Sequence, residues 1–171
     1  MSEAEPSNLR EYAVKAIQPR LERMLSHLEG AKEGDKPEPI KQMRVWSRRT
    51  RAALEVFHDC FPDKMFHAFE REIKTVTGAL GQARDLDVMI DTLTKREAGL
   101  PPQQRAGLAS FIVQMQNQRD EAQKAVRETI AHLEHQDLSG RFQAIAEAPR
   151  KVEAAPEAKS HKGRKGRHGK S

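Results

Sequence analysis

The chain has 171 residues, 32% of them charged and 5% aromatic, with a mean hydropathy of −0.79, which is the length of one domain. No run of about 18 apolar residues exists to span a membrane, ten Gly and nine Pro are too few for a collagen-like or low-complexity chain, and the single cysteine, Cys60, can neither staple a fold nor build a cysteine zinc site alone. The net charge of +5 is uneven: residues 150–171 hold eight Lys/Arg and two Asp/Glu, a balance of +6, which leaves −1 for residues 1–149.

Residues 1–7 read as a disordered N-terminus. Met1–Glu5 is polar and acidic and lacks the basic start and apolar stretch of a secretory leader. With one cysteine, a reducing cytoplasm is the expected compartment. Ser7 suits the N-cap of a first helix over about Asn8–Gly30, whose apolar residues Leu9, Tyr12, Ala16, Ile17, Leu21, Met24, Leu25 and Leu28 mark a buried face. Pro19 is expected to kink that helix or end a first segment of it. The stretch AKEGDKPEP (31–39) reads as a linker. A second helix follows over about Ile40–Phe61, stopping before Pro62, and a third over about Asp63–Ala98. GLPP (99–102) is a turn, Pro102 opens a fourth helix that runs to about His135, and a short fifth covers about Leu138–Glu147. Residues 149–171 hold one branched aliphatic residue and no aromatic, so they are expected to stay disordered. Their cluster KSHKGRKGRHGK is either a solubilising tail or a non-specific grip on a polyanion. The fold class expected is all-α: an antiparallel four-helix bundle over residues 8–148 with a short C-terminal helix and a disordered basic tail.

The second helix carries the chemistry. On a helical wheel of IKQMRVWSRRTRAALEVF (40–57), Met43, Trp46, Ala53, Leu54 and Phe57 fall on one side, while Lys41, Arg44, Arg48 and Arg51 fall within about 80° of arc on the other. Arg49 lies at the flank. The ridge from Lys41 to Arg51 is about 15 Å long and has no acid until Glu55. Like charges one turn apart cost a few tenths of a kcal/mol each. The stripe is either a solvated face paired with acids of neighbouring helices or a linear anion site, in which planar guanidinium forks meet a row of phosphates. On the third helix Lys74, Gly78, Gly81 and Asp85 fall near one line, with Arg84 beside it. Two glycines inside a helix cost about 1 kcal/mol each, which points to close approach by a packed helix or by a ligand. Asp85 is placed to pair with an arginine such as Arg49.

These two segments carry a resemblance. The first is similar to the CHAD (conserved histidine α-helical domain) signature, roughly H-x-x-R-V-x-x-R-R-x-R-x-x-L, with Arg44, Val45, Arg48, Arg49, Arg51 and Leu54 in place. LGQARDLDV (80–88) resembles the family's second signature through Leu80, Gly81, Arg84, Asp85, Asp87 and Val88, and Lys74 stands where the family often has a basic residue. The resemblance covers roughly residues 8–147 and implies helical bundles with a basic groove that binds inorganic polyphosphate. Two departures stand out. The family's histidine is Lys41 here, which keeps a cation independent of pH near neutrality and removes an imidazole ligand. The chain also has one bundle where the family typically pairs two about a pseudo-twofold axis, so either one bundle suffices or two chains form a homodimer.

Other chemistry finds little support. His132 and His135, or His58 and His67, lack the further ligands of a metal site, so no metal and no cofactor are expected. There is no Gly-rich phosphate loop and no G-x-S-x-G, and Asp85 and Asp87 project about 200° apart on a helix and cannot share an ion. With one Tyr and one Trp, stacking recognition of single strands is disfavoured. The expected function is non-enzymatic polyphosphate binding by Lys41, Arg44, Arg48, Arg51, Lys74 and Arg84, with Arg49 carried by the motif and Arg119 added from the fourth helix. The expected place is the cytoplasm, with polyphosphate granules. Two alternatives stay open: nucleic-acid binding through the tail, and an accessory subunit for an enzyme that processes phosphate chains or triphosphates.

Overall fold

Six helices follow one another in the computed structural model, which describes residues 6–149: α1 (Pro6–Leu25), α2 (Leu28–Glu33), α3 (Pro37–Val56), α4 (Asp63–Ala98), α5 (Pro102–Glu134) and α6 (Leu138–Glu147), with a 3-10 turn at His58–Cys60. No strand occurs among the described residues, so the fold is all-α as expected. The boundaries follow local chemistry. Pro37 and Pro102 sit in the first turns of α3 and α5, where a missing N–H costs nothing. Asp137 caps α6 by accepting the Gly140 N–H at 3.1 Å. The expected tail from residue 150 on, and residues 1–5, lie outside the described residues.

Several expectations are corrected. α1 already includes Pro6 and Ser7, so Ser7 is not its N-cap; proline fits a first helical position. Pro19 lies inside one unbroken α1, and the adjacent Arg20 guanidinium donates to the Ala16 carbonyl. The helix ends at Leu25 instead, where the Ser26 hydroxyl takes the Arg23 carbonyl at 2.8 Å and competes with the helical ladder. Much of the supposed linker is helical: α2 runs to Glu33 and α3 starts at Pro37. Gly34 closes α2 in the left-handed conformation, φ +76°, that glycine adopts without steric cost. Leu9 and Tyr12 are exposed. The buried stripe of α1 is Ala13, Ile17, Leu21 and Met24, and Tyr12 stands about 100° away from it.

Each long helix packs on the next, α1 on α3, α3 on α4 and α4 on α5, while α2 bridges α3 and α5, and α6 lies on α1 and α4. The core is built from Ile17, Leu21 and Met24 of α1, Ile40, Met43 and Leu54 of α3, Phe66, Phe69, Ile73 and Leu80 of α4, and Val126 and Ile130 of α5. Phe61 stacks on Phe66 at 5.1 Å and meets Phe142 edge-on at 5.9 Å, which seals α6 against the α3–α4 connection. None of the described helices is long and apolar enough to cross a membrane.

Candidate functional site

The basic ridge lies along the seam of α3 and α4. Gly81 is buried beneath Arg44, and a Cβ built on it would stand 3.5 Å from the Arg44 Nε. Further along, Arg84 acts electrostatically on Glu38. Moving back from Arg44 to Glu38 on α3 thus goes with moving forward from Gly81 to Arg84 on α4, so the two helices run antiparallel. At an equal rise per residue this register sets Lys41 level with Arg84, Arg48 with about Gly78, and Arg51 with Lys74. At this register the α4 cations Lys74 and Arg84 stand level with the α3 cations along one seam, the candidate trough. Its floor is open at Gly78, which is exposed and whose Cβ position meets nothing within 4 Å. No packed helix explains that glycine, and at Gly81 the close neighbour is a guanidinium rather than a helix backbone.

Carboxylates gather at the Lys41–Arg84 end of the trough and thin out towards Arg48, Arg51 and Lys74. Lys41 pairs with Glu38 at 3.2 Å, and Arg44 Nη2 stands 3.8 Å from Asp85 Oδ1. Both pairs are exposed on the acid side and weak for that reason. The Glu38 carboxyl is held below its ordinary range, first by the hydrogen bond from the Gln42 amide and then by Lys41 and Arg84. Arg48 and Lys74 are exposed and form no ion pair among the described residues. Arg51 is half-buried, and its Nε is shielded from solvent with no acceptor. A buried donor left unmet is costly, and a bound anion would meet it.

Two expected site residues stand elsewhere. Arg49 lies about 140° around α3 from Arg44, with its guanidinium 4.6 Å over the Trp46 ring on the α1 side. The Asp85 partner is consequently Arg44 and not Arg49. Arg119 donates to Asp87 Oδ1 at 2.6 Å, and the two side chains are only 11% and 14% exposed. Arg119 also donates to Gln123 Oε1, and the Gln123 amide donates to the Ala31 and Lys32 carbonyls at the end of α2. This network ties α4, α5 and α2 together. Arg119 still lines, with Lys41 and Arg84, a cleft of about 690 Å³ at one end of the trough, but six carboxylates, Glu33, Asp35, Glu38, Asp87, Asp91 and Asp120, share that cleft. Arg127, one further lining residue, was absent from the expected set. It donates to the Lys32 and Glu33 carbonyls, and its spacing of four from Gln123 and eight from Arg119 was the available signal.

Two of the histidines have local carboxylate partners: His58 Nε2 meets Asp59 at 3.0 Å and His67 Nδ1 meets Glu70 at 3.4 Å. Among the described residues no three of His, Cys, Asp and Glu gather as metal ligands.

Comparison with known proteins adds one finding. Residues 15–169 match the CHAD domain family, and the match reaches past the described residues. No curated protein and no solved structure matches the chain. The match covers nearly the whole chain, both signature segments included: the chain belongs to the CHAD family, a domain linked in general to polyphosphate and triphosphate binding.

Proposed function

We propose that this protein binds inorganic polyphosphate, without catalysis, along the trough between α3 and α4. Arg44, Arg48 and Arg51 form one wall and Lys74 and Arg84 the other, with Lys41 at the end. The observation that carries the reading is the set Arg48, Arg51 and Lys74, which have no acid partner among the described residues and stand by register near the open Gly78. An extended polyanion suits a straight ridge of about 15 Å better than one compact phosphate does. Each arginine offers a planar fork to successive phosphates. The Lys41 ammonium supplies a cation where the family's imidazole would stand.

Binding of this kind draws on counterion release, so log affinity falls linearly with log salt. Four to six engaged cations give a slope of roughly −3 to −4, by analogy with single-stranded nucleic acids. On this reading the protein works in the cytoplasm, where polyphosphate granules are its depot. The test is titration with long-chain polyphosphate beside duplex DNA at equal phosphate concentration. Preference for polyphosphate, lost in the variant Arg44→Ala/Arg48→Ala/Arg51→Ala with helicity intact, is expected. Equal affinity in that variant defeats the reading, and preference for DNA moves the function to nucleic-acid binding.

A further inference from the structure

A second groove, between α1 and α3, lies on the opposite side of α3 from the trough. We propose that it docks an acidic amphipathic helix of a partner protein. Its lining is apolar: Ala16 and Pro19 from α1, Trp46 and Ala53 from α3, with Val56 on the rim at the end of α3 and Phe57 just beyond it. Val56 is 73% exposed, a branched apolar side chain left open to solvent beside the groove. Three arginines, Arg20, Arg23 and Arg49, rim the groove, and no carboxylate among the described residues lines it. Arg49 is already held flat over the Trp46 ring at 4.6 Å, which fixes one cation beside the apolar strip at little further entropic cost.

The dimensions select a helix. The α1 side runs from Ala16 to Arg23 and the α3 side from Trp46 to Phe57, lengths of about 10 and 16 Å at helical rise. Two to three turns of a third helix fit that length, with apolar anchors at i, i+3 or i+4, and i+7 on the floor. The alanines let such a helix bed closely between the two rods. Acidic residues on its flanks would reach the arginines. A polyphosphate strand has no apolar surface to cover this floor, and a flat membrane cannot reach the bottom of a furrow between two helices. Charge also excludes the chain's own C-terminal sequence, which carries +6 and would meet three arginines.

Trp46 is the only tryptophan, so its emission reports on the floor directly. The probe is a synthetic helical peptide of about sixteen residues without tryptophan, with leucines at i, i+4 and i+7 and glutamates on the flanks. A saturable change in Trp46 emission is expected. Val56→Asp and Arg23→Glu, both at exposed positions, each weaken it about tenfold, roughly one lost charge-assisted or apolar anchor. Circular dichroism shows unchanged helicity in both variants, and their polyphosphate affinity stays within about twofold, since exposed charges on opposite faces are screened. Four results each overturn the proposal: no saturable change; equal binding of a peptide with the same composition and shuffled leucines; variants that bind like the parent; or the same emission change on concentrating the protein alone or on adding anionic lipid vesicles.

Discussion

Replacing Gly78 by alanine and by glutamate separates the cost of this glycine to the helix from its use to a ligand. Gly78 lies in the interior of α4, and a methyl group there meets nothing within 4 Å. Gly78→Ala therefore returns the full helix-propensity difference, about 1 kcal/mol, with no steric term against it. For a domain of this size that is a rise in melting temperature of about 3 °C. Glutamate is also a good helix former, so Gly78→Glu keeps much of that gain. It also sets a carboxylate on the trough floor, about level with Arg48. Unit charges 4 Å apart interact by about 1 kcal/mol in water and about 4 in a partly shielded site. An exposed trough lies near the lower figure, and the change is roughly 1–2 kcal/mol, a five- to thirtyfold loss of polyphosphate affinity. Thermal melts and fluorescence anisotropy with labelled polyphosphate read the two effects separately. A destabilised Gly78→Ala would show that something packs on the glycine. A Gly78→Glu variant with parental affinity would show that the phosphates bind elsewhere.

Three further outcomes follow from particular contacts. Asp87→Ala leaves the Arg119 guanidinium buried with only Gln123 as acceptor, and urea denaturation should show a loss of about 3 kcal/mol. Gly34→Ala forces a left-handed residue at φ +76° and drives its Cβ into the Gln123 carboxamide; strain and lost hydrogen bonds make about 2–3 kcal/mol, read by thermal melting. Glu38 has a folded-state pKa below its unfolded value, so its contribution to stability is present above the unfolded pKa of about 4.3 and disappears as pH falls through the folded one. Its protonation, which comes only below the ordinary glutamate range, also frees Lys41 and Arg84, so polyphosphate binding measured by calorimetry should stay level with respect to this group from pH 7 to about 4.5 and tighten only below it, and Glu38→Gln should bind more tightly at pH 7.

Much of this was legible in the chain because the relevant signals are local. Apolar spacing of three and four identified helices, and Pro62 and Pro102 marked where α4 and α5 begin. The cationic stripe of α3 and the glycine line of α4 are single-helix features, so the wheel placed them on faces without knowing the partner. The misses depend on neighbours. The segment read as a linker is helical in α2, where Ala, Lys and Glu are good helix formers, Ala31 is buried and Gln123 of α5 holds the Ala31 and Lys32 carbonyls; the break is confined to residues 34–36. Arg119 looks like any exposed arginine until Asp87 is seen 2.6 Å away. The Asp85 partner depends on which side of α3 faces α4, which favours Arg44 over Arg49. The groove beside Trp46 needs two helices to exist, so no pattern in one segment could show it.

Side-chain resonances observed by NMR locate the phosphates without any mutation. In a ¹⁵N-labelled sample titrated with short-chain polyphosphate, the Nε–Hε signals of Arg44, Arg48 and Arg51 and the Gly78 amide should shift together and saturate, while those of Arg49 and Arg119 stay in place. Shifts centred on Arg49 and Trp46, or confined to residues 150–171, would place the polymer outside the α3–α4 trough and contradict its assignment as the binding site.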